Sequence, residues 1–294
     1  MGKQPKKIII LEIVVLAILL TVFGIGRYRK TINQESDSQQ TVNEDANKVW
    51  EPIDVTFFDV GKGDCILIET SEGAIMIDTG YDENGEDLVG WLKEREIDTL
   101  AYLILTHPDK DHIGGADTVI NELNVENIIE TNCEVNNDDY IQYKEAAASK
   151  GLSILTLTEE KELSIGGAQL TIYPPLSKTF EGQNDYSLVI KMIFGETDFL
   201  FAGDATEARI EELLKQIPNI QSMLLKVPYH GRLMENSEEF LEAVSPKYSI
   251  ITCNKKKEYK DVMKMLTELN SEVFITKDGD ITVNSDGKEM TVSQ

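Results

Sequence analysis

The chain opens with an apolar run from Ile8 to Gly26 that is broken by one charge, Glu12. As a helix this run would rise about 28 Å, close to a bilayer's hydrocarbon thickness, so it predicts one transmembrane helix behind a basic start at 1–7. A cleaved signal fits less well, because the small-residue triplet Gly24-Ile25-Gly26 runs directly into Arg27. From 27 to 50 large apolar residues are scarce and no period is visible, as in a solvated linker. After that the pattern changes. Short apolar runs predict strands at 55–60, 65–69 and 74–78, an antiparallel meander with glycine-bearing turns. Leu88, Trp91, Leu92 and Arg95 follow at helical spacing, and then the apolar strand LAYLIL at 100–105.

Beyond this point strands and helices alternate. Helices are predicted at 116–123, 138–150, 206–216, 237–244 and 259–270, with Asn236 and Glu239 spaced as a capping box. Strands are predicted at 128–130, 154–157, 168–173, 187–194, 198–203, 223–227 and 248–252, and a hairpin around Lys277-Asp278-Gly279-Asp280 ends the chain. Two blocks result, each passing from strands alone to strands alternating with helices. That order predicts one α/β domain at 51–294, a four-layer αββα sandwich in which two sheets face each other under outer helices.

Composition narrows the class. The chain has 28 Lys plus Arg against 52 Asp plus Glu. The first fifty residues carry seven of the basic groups and five of the acidic ones, so the remainder, 21 against 47, bears a charge of −26. An extended basic track for nucleic acid is excluded. The three cysteines, Cys65, Cys133 and Cys253, form no C-x-x-C pair and are odd in number, which argues against a disulfide framework. Cys65 and Cys253 lie in apolar runs and read as small core residues.

The chemistry concentrates at strand ends. THPDKDHIGG at 106–115 follows LAYLIL and places His107, Asp109, Asp111 and His112 in an H-x-D-x-D-H spacing. Asp78 ends a strand in IMIDTG, Asp204 follows one in FLFAGDA, and His230 follows one in VPYHGR. Individually these residues have ordinary readings: Asp78 a turn former, Asp204 an N-cap for the helix from Thr206, Asp109 and Asp111 a solvated acidic turn, His230 a structural histidine. Together they place all three histidines of the chain and four aspartates at the C-terminal ends of strands. A rigid rim of that kind lets imidazoles and carboxylates converge, and mixed N/O ligands suit Zn²⁺, Mn²⁺ or Fe.

With these motifs the sequence resembles the metallo-β-lactamase superfamily, and more narrowly the hydrolase domain of ComEC-type competence proteins. The resemblance is carried by FDVGKGDCILIE at 58–69, MIDTG at 76–80, LTHPDKDHIGG at 105–115, NDYSLVIKM at 184–192, FAGD at 201–204 and LLKVPYHG at 224–231. It implies a metal-dependent hydrolase with one or two divalent ions, Zn or Mn. His107, Asp109 and Asp204 would hold one ion, and Asp111, His112, His230 and Asp204 the other. It also implies that a water acidified by the metal attacks a phosphorus or carbonyl centre, with Asp111 and His230 carrying the catalysis. Asp78 would orient a ligand imidazole, and Asp59 and Asn184 would support the ligands from behind. Asp59, Gly61, Gly63 and Asp64 suit a tight turn approaching the site.

This chain departs from the wider pattern: no histidine lies between His112 and His230, and Tyr229 and Arg232 stand where relatives often have His and Ser. The expected activity is that of a phosphodiesterase or nuclease at the cell membrane, single-pass, with its domain outside the cell. The alternatives are a hydrolase of small esters or lactones, or an anchored metal-binding sensor. A small phosphoester, ester or nucleic acid would be the substrate, and no protein partner is identifiable.

Overall fold

The computed structural model describes residues 50–294. The expected basic start, the transmembrane helix and the linker as far as residue 49 lie outside the described residues. Among the described residues no helix is long and apolar enough to cross a membrane.

The elements run β1 Ile53–Phe57, β2 Cys65–Thr70, β3 Gly73–Thr79, α1 Gly85–Glu94, β4 Thr99–Leu105, α2 Lys110–Ile113, α3 Ala116–Glu122, β5 Asn124–Val125 and β6 Ile128–Thr131. Next come α4 Asp138–Ser149, β7 Ile154–Leu157, β8 Lys161–Ile165, β9 Ala168–Tyr173, β10 Val189–Phe194, β11 Thr197–Phe201, α5 Glu207–Gln216 and β12 Leu224–Lys226. The last are α6 Ser237–Val244, β13 Tyr248–Ile251, α7 Lys256–Glu268, β14 Glu272–Ile275, β15 Ile281–Ser285 and β16 Met290–Ser293.

Two sheets form. The first runs β16-β15-β1-β2-β3-β4-β6-β7, with β5 paired to β4; the second runs β14-β13-β12-β11-β10-β9-β8. Each sheet is antiparallel in one half and parallel in the other, with the change at β3–β4 in the first and β11–β12 in the second. That is the structural form of the two blocks in the sequence. The hairpin expected around 277–280 does not form: β14 pairs with β13 in the second sheet, while β15 returns to the first sheet between β1 and β16.

Strand alternation builds the layers. In β2, Ile66 and Ile68 face the core between the sheets while Cys65 and Leu67 face the helical side; in β3, Ile75 and Ile77 oppose Ala74 and Met76 in the same way. In β11, Phe199 and Phe201 enter the inter-sheet core and Leu200 points to the outer helices. Leu88, Val89 and Leu92 of α1 cover the first sheet. Ile210 and Leu213 of α5, Phe240 and Leu241 of α6, and Val262 and Leu266 of α7 cover the second. The four-layer αββα sandwich follows from these three apolar clusters. Cys65 and Cys253 are buried core residues, and all three cysteines are free thiols.

Several local expectations are corrected. β8 and β16 were not visible as strands in the sequence: KELSI and MTVS carry few apolar residues because one face of each is exposed. The Asn236 capping box does not form. The Asn236 amide donates to the Glu207 carbonyl at 2.9 Å, and the Met234 N–H donates to Ser237 Oγ instead.

Asp204 does not cap α5 either. That role belongs to buried Asp185, whose Oδ1 accepts from Thr206 N–H at 3.1 Å, Thr206 Oγ1 at 2.5 Å and Arg209 N–H at 3.2 Å. Removing it leaves the first turn of α5 without acceptors. Asp185→Ala is expected to lower unfolding free energy by about 1–2 kcal/mol, read as a lower urea midpoint at constant slope. An unchanged midpoint would remove this account of the loop.

Candidate metal centre

The C-terminal ends of the parallel strands collect on one edge of the sandwich, where open α/β sheets place their ligands. β3 ends at Asp78 and Thr79, β4 leads into Thr106 and His107, β11 into Asp204, β12 into His230, and β13 into Thr252. The short helix α2 then carries Asp111 and His112 back over this edge. His107, Asp111, His112, Asp204 and His230 are all buried.

Each imidazole is fixed by its Nδ1. His112 Nδ1–H donates to Asp78 Oδ2 at 2.8 Å. The Thr106 hydroxyl donates to the same Oδ2 at 2.6 Å and accepts from His107 Nδ1–H at 3.1 Å. Asp78 Oδ1 accepts the Thr106 N–H at 2.8 Å. One carboxylate therefore orients His112 directly and His107 through Thr106. His230 Nδ1–H donates to the Thr252 carbonyl at 2.9 Å. The tautomer this imposes leaves every Nε2 available as a ligand atom.

Two of the three Nε2 atoms lie against the Asp204 carboxylate. His230 Nε2 lies 2.9 Å from Oδ2 and His112 Nε2 3.4 Å from Oδ1. His230 Nε2 is also 3.5 Å from Asp111 Oδ2, and His107 Nε2 is 3.8 Å from Asp109 Oδ2. The His107 and His112 rings stand 4.1 Å apart between centroids, and His112 and His230 5.3 Å. Despite this proximity, the Nε2 atoms of His107, His112 and His230 and Oδ1 of Asp204 have no hydrogen-bond partner of acceptable geometry. Four buried polar atoms in one cluster without hydrogen-bond partners are the donor set that divalent cations would satisfy.

The backbone is strained to achieve this. Asp78 has φ 56°, and consecutive Tyr229 and His230 have φ 50° and 53°. Left-handed non-glycine residues cost about 1 kcal/mol or more each, and such strain clusters at functional sites.

The charges are strongly coupled. Burial would raise the Asp204 pKa, but His230 and His112 hold it well below the ordinary carboxylate value. Asp111 is likewise held low against burial by His230, His112 and Lys62. Burial would lower His112, yet Asp204, Asp64 and Asp78 raise it well above its ordinary value; His230 is raised mainly by Asp204 and Asp111. His107 goes the other way, pushed down by burial and by neighbouring His112. Half-buried Asp109 is raised by burial.

The sequence reading missed two members of this centre. Asp64, read as part of a turn, is buried, and its carboxylate belongs with His112, Asp204 and His230 to a set of ligand-type atoms within 4.8 Å of one another. It faces the Nδ1 side of both rings, 3.9 Å from His112 and 3.7 Å from His230, so it stands behind the ligands rather than among their free nitrogens. There it accepts from Thr252 Oγ1 at 2.7 Å and pairs with Lys226. Lys226 is fully buried and donates to the Gly203 carbonyl at 2.8 Å. Only the GKGD spacing hinted at Asp64, because its partners come from β12 and beyond β13.

Two other expected residues are not brought to the ligands. Asp59 is exposed, and its Oδ1 accepts the Gly61 N–H at 3.1 Å within its own turn. Asn184 is half-buried, and its carbonyl accepts the Ser187 N–H at 3.0 Å. Among the described residues, no hydrogen bond joins either side chain to the histidines.

The chain is 27% identical over 224 residues to ComE operon protein 3 of Bacillus subtilis, covering 70% of this chain and 29% of that protein. It is 28% identical over 241 residues to Recombination protein 2 of Haemophilus influenzae, covering 78% and 28%. It thus spans less than a third of the length of these relatives. Among solved structures it is similar to the metallo-beta-lactamase fold protein YhfI of Bacillus subtilis, with a TM-score of 0.54 at 12% identity, covering 83% of this chain and 100% of that one. Residues 58–253 match the family described as the metallo-beta-lactamase superfamily, and the chain, with its two-sheet sandwich and converging imidazoles, belongs to that superfamily.

Proposed function

We propose that this protein is a metal-dependent phosphodiesterase, held at the membrane by residues 8–26 with its domain outside the cell. The observation that carries the metal-dependent reading is the set of orphaned Nε2 atoms facing the Asp204 carboxylate. The residues present fit divalent ions: His107 and Asp109 with Asp204 would hold one, and Asp111, His112 and His230 with Asp204 the other. Carboxylate-rich ligation makes Mn a rival to Zn. When bound, such ions supply Lewis acidity toward a phosphoryl oxygen and lower the pKa of water.

The chain's own residues prepare that chemistry. Asp78, Thr106 and Thr252 hold the imidazoles in the ligating tautomer before any substrate arrives. Asp111 Oδ2, between His230 and Lys62, is placed to orient an attacking water and accept its proton. Similarity to competence and recombination proteins supports a phosphodiester bond as the target. The domain's charge of −26 favours small or short phosphodiesters over long duplex, and burial of Lys226 removes one cation from the surface.

Two outcomes are expected. Asp111→Ala and His230→Ala should each lower kcat/KM on bis(p-nitrophenyl) phosphate by at least about 100-fold while near-ultraviolet circular dichroism is retained. Turnover at the wild-type rate in both variants would defeat the assignment. The second outcome concerns protons. Burial would lower the pKa of His112 and His230, but Asp204 and neighbouring carboxylates raise both above the ordinary imidazole value, so protons compete with an incoming ion for these two ligands. Calorimetry of the metal-depleted protein in buffers of different ionisation enthalpy should show proton release on Mn²⁺ or Zn²⁺ binding. Affinity should fall as the pH is lowered, and pH-independent affinity would contradict the ligand set.

A further inference from the structure

Lys62 lies outside every ligand set considered so far. It sits in the turn between β1 and β2, and its Nζ donates to Asp111 Oδ2 at 2.7 Å. The turn is clamped against the motif loop by its backbone. Asp64 N–H donates to the Asp111 carbonyl at 3.1 Å, and a Cβ on Gly63 would lie 2.4 Å from that same oxygen. Gly61, at φ 83°, lets the chain reverse just before Lys62. The ammonium is thereby fixed over the carboxylate and does not reach it from a mobile tether.

Its situation differs from that of the other cations nearby. Lys226 is fully buried and its donors go to Asp64, Asp204 and the Gly203 carbonyl. Lys110 lies over the Tyr81 ring and Arg232 over the Tyr229 ring, where Arg232 also donates to the phenol oxygen. Lys62 keeps 22% of its side chain exposed, and among the described residues Asp111 is its one hydrogen-bonded acceptor. An ammonium has three donors, so two remain for the open side. On the other side of the same Asp111 oxygen, His230 Nε2 stands at 3.5 Å. A group bound beside Asp111 on its solvent side can therefore reach the Lys62 ammonium. In a domain of charge −26, such a local cation favours the approach of a phosphate to this site.

We propose that Lys62 binds a non-bridging oxygen of the substrate's phosphate and selects anionic esters over neutral ones. This rests on the phosphodiesterase reading above. An ammonium bonded to phosphate acts as a point charge, and a neutral ester gives it no anionic oxygen to pair with.

The test compares wild type, Lys62→Met and Lys62→Arg, each loaded with Mn²⁺ and checked for equal metal content. Inorganic phosphate affinity is measured by calorimetry, and kcat and KM on bis(p-nitrophenyl) phosphate. Lys62→Met is expected to weaken phosphate binding and raise KM by about tenfold or more with kcat changed less than about threefold, and Lys62→Arg to recover most of the loss. Equal phosphate affinity in wild type and Lys62→Met, or no phosphate binding by wild type, overturns the proposal. So does loss of metal in Lys62→Met, which would make Lys62 a positioning residue for Asp111. If wild type cleaves no phosphodiester while Lys62→Met still loses phosphate affinity, the reaction reading fails and the Lys62 assignment stands.

Discussion

The centre depends on a single buried carboxylate. Asp78 ends β3 in a left-handed conformation that turns its side chain toward the start of the motif loop, where it receives the Thr106 N–H, the Thr106 hydroxyl and His112 Nδ1–H. Through Thr106 it also fixes His107. These bonds settle which nitrogen of each ring carries a proton, and so which face of the rings is free. Without them two of the three Nε2 atoms would have no reason to converge. The antiparallel-to-parallel change at β3–β4 makes this possible, because it brings the ends of β3 and β4 side by side.

Around this hub the acidity of the chain divides into two populations. Most carboxylates are solvated and contribute only to the general repulsion of polyanions. Asp64, Asp78, Asp111 and Asp204 are buried and packed with three histidines and the ammonium of Lys226. In such surroundings a carboxylate is tolerable only when paired, and the coupled shifts of Asp204, His112 and His230 express that pairing in the absence of a metal ion. A divalent cation would add its own positive charge to that pairing. Metal loading is therefore a change of counter-charge within a centre already built.

Much of this was legible in the sequence. Apolar patterning is a local property, so β3, β4, β11 and β12 could be read directly, and the ends of the last three located His107, Asp204 and His230. The H-x-D-x-D-H spacing, with the resemblance it carries, pointed to Asp109, Asp111 and His112. What could not be read depends on partners distant in the chain. Asp64 pairs with Lys226 and Thr252, and Asp185 rather than Asp204 caps α5. The burial of Lys226 could not be read either, because a single lysine in LLKV carries no sign of the Asp64 and Gly203 oxygens that receive it. β8 and β16 were missed because one exposed face weakens their apolar pattern.

The most direct test of Asp78 as organiser is the dissociation constant of Mn²⁺ or Zn²⁺ in the Asp78→Asn variant. Asparagine tolerates the left-handed backbone and preserves volume, but it removes the charge and one of the acceptor oxygens. Metal binding is expected to weaken by about 10- to 100-fold with the fold retained. An affinity within about twofold of wild type would show that the imidazoles are oriented without Asp78, and would contradict the account.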